Sequence, residues 1–421
     1  MTATTEATGE RVARKRPPVI LLGGEANALS VARDLGRAGV KVYAICGAES
    51  VVRHSRYCRW IDVRVKGPIE DAWGQFLLSP KADHLRGAVL LTCSDTGIQV
   101  LMRYRQELSL RFKLDLCNPA AQADMLDKFT TYRHAKAAGV PTPRFWESAT
   151  REQILELRES LAFPVLVKPR LSHLFEAHFG RKHVIVANFD ELMETFDKST
   201  AAKLDVLIME WVPGPDSQLC SYYTYLDEDG KPLFDFTKRI IRRYPSGMGT
   251  ACYHITDWVP EIIDHSNRLF KQAGLRGLAN IEFKRDPRDG EYKVIECNAR
   301  FTASNCLVSA SGCGIALFVY NRIVGEPLPT MDSYARGMRL WDPYRDFAAF
   351  GELWELGQIT LGAWLLSIMY RQTFAFFSWS DPMPAVVRSM KPVKKLFLSL
   401  GRSLRRVEIN GPHVAVLEKS V

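Results

Sequence analysis

Leu278-Ala279-Asn280-Ile281-Glu282-Phe283-Lys284 and Tyr292-Lys293-Val294-Ile295-Glu296-Cys297 read as two strands. Between them Asp286-Pro287-Arg288-Asp289-Gly290 has the turn formers of a hairpin loop. If residues 286–290 form that loop, Arg285 faces Glu291 and position 282 faces 294. Side chains alternate along a strand, so Glu282 and Glu296 then share one face, diagonal to each other, and Asn298 continues it. Two carboxylates and an amide oxygen are hard donors, suited to Mg²⁺ (with Mn²⁺ as a substitute) rather than zinc. An ion held there would neutralise phosphate charge during phosphoryl transfer. Taken alone, the same residues also fit two solvated glutamates on an exposed sheet face.

Upstream, Val19 to Leu22, a Gly23-Gly24 turn, a helical pattern over Asn27 to Ala38, and a strand over Val40 to Ile45 follow one another. Ala88 to Thr92 is another apolar run, ending at Ser94-Asp95. This alternation predicts a small parallel α/β domain. Gly23-Gly24-Glu25 is not G-x-G-x-x-G, so a dinucleotide fingerprint is absent. Asn27 and Asp95 stand at strand ends and read as helix caps. Around Ala121 to Ala138 a helical stretch is expected, closed by Gly139 and Pro141. Further strands are expected at Pro164 to Pro169, Val184 to Val186 and Val206 to Met209.

The run Glu296-Cys297-Asn298-Ala299-Arg300, an acidic residue, Asn and Arg at alternate positions, resembles the metal-binding strand of the ATP-grasp superfamily. The resemblance spans roughly residues 19–325 and is closest in character to the carboxylate-amine ligase branch, with D-aspartate ligase-like and carbamoyl-phosphate synthase-like members. It implies an α/β protein, α+β in its ATP-grasp part. The expected domains are a basic disordered tail (1–17), a Rossmann-like domain (18–115), a two-lobed ATP-grasp domain (116–330, with a phosphate lobe at about 140–212) and a helical C-terminal extension (331–421).

The family pattern carries over residue by residue. Lys128 in Asp127-Lys128-Phe129 and Lys168 in Val167-Lys168-Pro169 resemble the two phosphate-binding lysines. Lys128 reads almost equally well as an ordinary helix-surface lysine. Ile208-Met209-Glu210-Trp211-Val212-Pro213-Gly214 resembles the adenine hinge, with Glu210, Trp211 and the backbone near Val212 at the base edge and Asp216 at the ribose. Residues 170–183 contain one glycine where many members have a Gly-rich phosphate loop, so Arg181 and Lys182 are expected to cover the phosphates. Lys238 and Arg243, ahead of Tyr244-Pro245-Ser246-Gly247, resemble the substrate-side loop; with Arg300 they are the candidates for holding a carboxylate or acyl phosphate.

The implied activity is an ATP- and Mg²⁺-dependent ligase that activates a carboxylate for attack by an amine, with amino acids among the candidate substrates. A nucleotide-binding regulatory module without ligase activity is the alternative, motivated by the Gly-poor loop. The chain has 421 residues, 56 basic against 47 acidic, net +9. That excess suits anionic ligands or a membrane surface, while no motif points to nucleic acid. Nine cysteines without a C-x-x-C pair fit a reducing, cytoplasmic compartment. A homodimer is the default expectation. The apolar run Ile359 to Tyr370 is too short to cross a bilayer. Lys391 to Arg406 alternates basic and apolar residues like an amphipathic helix for peripheral membrane contact.

Overall fold

The computed structural model describes residues 16–147, 150–169 and 183–390. The expected lid residues Arg181 and Lys182, and the segment Lys391 to Arg406, lie outside the described residues. Of the tail expected at 1–17, Arg16 and Pro17 are described and held: Arg16 donates to the Ala38 carbonyl (2.7 Å), and the Tyr320 hydroxyl donates to that of Pro17 (2.8 Å).

Five short strands form the first sheet: β1 (Val19–Leu22), β2 (Val42–Ile45), β3 (Cys58–Ile61), β4 (Val89–Thr92) and β5 (Lys113–Leu114). Their order is β3-β2-β1-β4-β5, all parallel. β1 is central and wholly buried, so all four of its residues are apolar. The strand order reverses between β1 and β4, and a parallel sheet opens a crevice at the carboxyl ends of such a pair. Gly23-Gly24 and Ser94-Asp95 stand at that edge. A side chain at Gly24 (φ +92) would come within 2.8 Å of Cys93, so the turn accepts only glycine. The capping expectation fails at both positions. Ser94 caps the helix Asp95–Ser109 through the Gly97 N–H (3.0 Å), which leaves the Asp95 carboxylate for another partner. Asn27 donates to the Cys93 and Phe301 carbonyls and so ties this domain to the next.

The second sheet is antiparallel, in the order β6 (Phe145–Glu147), β9 (Val206–Glu210), β7 (Val165–Pro169), β8 (Val184–Val186). The third has seven strands: β10 (Leu219–Leu226), β11 (Phe236–Tyr244), β12 (Thr250–Thr256), β13 (Gly277–Arg285), β14 (Tyr292–Asn298), β15 (Arg339–Trp341) and β16 (Gln372–Phe374). They run β14-β13-β10-β11-β12-β15-β16. The C-terminal part is helical at Pro343–Glu355 and Leu361–Ile368, and it also supplies β15 and β16 to this sheet.

The structure adds detail at two places. The helical stretch consists of two helices, Pro119–Leu126 and Lys128–Ala137, because the Asp127 side chain accepts from the Phe129 and Thr130 N–H groups and starts a new helix. The hairpin register is also shifted. Arg285 pairs with Tyr292 and Phe283 with Val294; a bulge at Ile295 then sets Glu282 directly opposite Glu296. The Ile295 carbonyl accepts from the buried Tyr132 hydroxyl (2.7 Å), which pins the bulge. The loop is closed at Asp286, buried and paired with Arg288 and with Lys293 (2.6 Å).

Candidate active site

Opposite residues in an antiparallel ladder point to the same face. The pairings Thr256↔Lys238, Lys238↔Ser221, Ser221↔Glu282 and Glu282↔Glu296 therefore make one transverse row across β12, β11, β10, β13 and β14. Asn280 and Asn298, two residues along, pair as the next row on that face. Lys238, Ser221 and Asn280 are almost fully buried. A buried polar row on the open face of a sheet is costly without a ligand or partner. Here the Ser221 Oγ and Asn280 Oδ1 have no hydrogen-bond partner among the described residues.

The carboxylates are similarly open. Glu282 accepts no hydrogen bond among the described residues, and Glu296 accepts one, from the Asn298 amide (3.2 Å). Burial, and then the charge of Glu296, push the Glu282 carboxyl up to about 6. Lys238, Arg243 and Arg300 pull the other way without restoring its ordinary value. Among the described residues no three His, Cys, Asp or Glu side chains form a metal site. Glu282, Glu296 and Asn298 offer three oxygen donors and leave the other positions to phosphate oxygens and water, which is how Mg²⁺ is commonly held. The donor set fits the ion.

Lys168 comes from the other sheet, on β7, and is buried. Its amine is pushed down to about 7 by burial and then by the charge of Lys128, with Glu296 opposing and Arg243 reinforcing the shift. Two lysines from different elements, a carboxylate pair and the partly buried Arg243 thus act on one space. Lys128 is the first residue of its helix, where the N–H groups also favour anions. It lines one pocket with Asp95, Tyr132, Glu296 and Asn298.

The hinge is arranged differently from expectation. Glu210 ends β9, but its carboxylate is already engaged by Arg288 (2.8 Å) and the Arg144 N–H (3.1 Å). Its side chain is a brace for the hairpin loop, so a base edge would be met by backbone. The Val212 carbonyl is occupied by Lys284 (2.9 Å), which also donates to Gly214 and lies 5.2 Å from the Trp211 ring centre. Asp216 is likewise committed: it accepts from Arg243 (2.6 Å), and its other oxygen meets the Ser246 hydroxyl (3.4 Å) and the Gly247 N–H (3.3 Å). Asp216 and Arg243 therefore organise the turn at 244–250, and the charge of Arg243 also reaches Lys168 and Glu282. Trp211 stands against that turn, 3.5 Å from where a side chain at Gly247 would begin.

Arg300 follows β14 and pairs with Asp95 (2.6 Å) at the carboxyl edge of the first sheet. It joins the crevice of that domain to the carboxylate row. Sequence reading missed Ser221, Lys284, Arg288 and His254. Lys284 was detectable, being two residues from Glu282 on the same face. His254 is buried on the face of Lys238, with its Nδ1 unpartnered among the described residues, and is held neutral by burial and then by Lys238. Nothing in the local sequence marks it.

The carboxylate pair, with Lys128 and Lys168 acting on the same space, is the arrangement that the ATP-grasp resemblance implied, and the comparisons with known proteins point the same way. Residues 256–331 match the family model of the carbamoyl-phosphate synthase L chain ATP binding domain. The chain is 26% identical over 336 residues to a D-aspartate ligase of Enterococcus faecium, covering 73% of this chain and 77% of that protein. It is 24% identical to a D-alanine–D-alanine ligase of Pseudomonas putida, covering 42% of this chain and 55% of the relative. The fold is also similar to that of N5-carboxyaminoimidazole ribonucleotide synthetase in its ADP complex, with a TM-score of 0.59, 15% identity, and coverage of 76% of this chain and 80% of that one.

Proposed function

We propose that the protein transfers the γ-phosphoryl group of ATP to a substrate carboxylate and couples the acyl phosphate to an amine. In the first step a carboxylate oxygen attacks the γ-phosphorus, the bond to the β-phosphate oxygen breaks, and ADP leaves. In the second an amine attacks the acyl carbon, phosphate departs with its oxygen, and a proton is lost from nitrogen. Lys128 and Lys168 are placed to hold the triphosphate. Mg²⁺ at Glu282, Glu296 and Asn298 would neutralise phosphate charge. Lys238, beside Glu282, and Arg300, at the mouth of the Asp95 crevice, are placed to hold the carboxylate and the transferring group.

The single observation that carries this reading is the row Lys238–Ser221–Glu282–Glu296 facing Lys168. A mere nucleotide-binding module needs no second cation beside the carboxylates on the acceptor side. The substrate identities follow from nothing in the row; small carboxylates and amines, amino acids included, are the class suggested by the relatives. Nine free cysteines support a reducing, cytoplasmic setting, and a homodimer is part of the same reading. Among the described residues no helix is long and apolar enough to cross a membrane.

ADP release across a panel of carboxylates and amines tests the proposal. At least one pair is expected to raise release above background, and Glu296→Ala to abolish that gain. If Glu296→Ala alters only ATP affinity and no pair stimulates release, the regulatory-module reading stands instead.

A further inference from the structure

The helix Leu361–Ile368 has no charged residue, and neither does any position from 356 to 370. One side of this helix seats Trp364 against the protein, where its indole donates to Asp346 (3.0 Å). The opposite side carries Leu365, Leu366 (65% exposed) and Met369 (78% exposed), which fall together at helical spacing. A surface helix ordinarily has a polar outer face; this one has none. The exposure continues beyond it. Ring contacts of 4.7–6.4 Å run unbroken from Trp354 through Trp364 and Trp341 to Trp379. The two ends of that path are themselves open, Trp354 at 51% and Trp379 at 91%. Exposed apolar side chains gathered around such an aromatic network mark an interaction site.

We propose that this face docks on an anionic lipid bilayer surface. Charge selects that occupant over a second copy of the chain. From Pro382 to Val407 the sequence has seven basic residues and no acidic one. The first of them, Arg388, is paired with Asp342 (2.6 Å), the residue that precedes the helix carrying Trp354, so the remaining six follow the described chain from beside this face. These six come after Met390, the last described residue, and a two-fold interface on this face would gather the like charges of both copies. Acidic headgroups attract it, while indole and phenol rings around an aliphatic centre suit the lipid interface. The face is also tied to the candidate active site. Glu352, on the helix Pro343–Glu355, accepts from the Ser246 N–H (2.9 Å), and Asp346 accepts from Nε and Nη2 of Arg242 (2.7 and 2.9 Å). Docking would therefore set the orientation of the turn at 244–250 relative to the bilayer. The surface itself is independent of the ligase reading.

The full chain is to be sedimented with phosphatidylcholine vesicles, with and without about one third phosphatidylglycerol, at low and high salt. Binding to the anionic vesicles is expected, weakened by salt, and reduced at least about tenfold by Leu366→Glu with Met369→Glu. Both positions are exposed, and the melting temperature of the double variant checks that it folds. Absence of binding by the parent chain overturns the proposal. So does unchanged vesicle binding by the folded double variant, even if removal of residues 391–421 abolishes it, since the contact would then belong to that segment alone. A change from dimer to monomer in the double variant with lipid binding intact also overturns it and makes the face a subunit interface.

Discussion

Lys168 and Glu282 carry opposite charges, and burial acts on both in the same sense, toward the neutral form. For Lys168 the amine ordinarily titrates at 10.5 and in the free protein at about 7. Between those values the unfolded chain binds a proton that the folded one does not, so this group makes stability rise as pH climbs from about 7 to 10.5. A triphosphate beside Lys168 restores its charge, so Mg-ATP binding in that window takes up a proton. Titration calorimetry at pH near 8 in buffers of different ionisation enthalpy reads this directly; the buffer dependence should vanish in Lys168→Met. For Glu282 the shift is upward, from 4.5 to about 6. Here the folded protein holds the extra proton, so metal-free stability falls as pH rises through that range. An ion at Glu282 displaces the proton, and the gain in melting temperature on adding Mg²⁺ should therefore grow from pH 4.5 to above 6. A gain that shrinks over this range would place the ion elsewhere. Glu296→Gln, with one anionic ligand lost, should lower turnover by on the order of a hundredfold or more while melting close to the parent.

At the scale of elements, the hairpin shows what a sequence conveys and what it withholds. Period-two alternation was enough to put Glu282, Glu296 and Asn298 on one face. It could not reveal the bulge at Ile295, because the bulge is fixed by Tyr132, more than 160 positions away. The break at Asp127 was legible in principle, since Asp followed by a helical run is a start signal; it was hidden by the continuous apolar pattern on either side. β10 is buried along its whole length, so it lacks the alternation that marks a half-exposed strand, and Ser221 stayed unread within it. Glu210 and Asp216 were found by position in a motif, but a motif does not show that Arg288 and Arg243 already hold their oxygens. Tyr132→Phe tests the bulge: it leaves the part-buried Ile295 carbonyl without this donor, should cost about 0.5–1.5 kcal/mol, and should weaken Mg²⁺ binding. Unchanged metal affinity would show that the hairpin keeps its register unaided.

The whole molecule is held together by contacts that cross from one part to another. Arg33 of the first domain is buried on Asp381 (2.9 Å), and Arg242 of β11 on Asp346. None of these pairings is visible in sequence, because each joins residues 100 or more positions apart. Asp346→Ala would leave Arg242 buried without its carboxylate and two indoles without their acceptor, and should destabilise the protein by about 3–5 kcal/mol. Denaturant unfolding of the full chain measures it; a loss below about 1 kcal/mol would mean that water replaces the carboxylate. Asp95→Asn, by contrast, alters an exposed partner of Arg300 and should cost under about 1 kcal/mol of stability. Its effect should appear in turnover, because Arg300 joins the crevice of the first sheet to the carboxylate row.

The route through an acyl phosphate is tested most directly by the fate of the carboxylate oxygen. With a substrate carboxylate enriched in oxygen-18, the released inorganic phosphate should carry one labelled oxygen per turnover, and the nucleotide product should be unlabelled ADP. Unlabelled phosphate, or label found in AMP, would contradict the account.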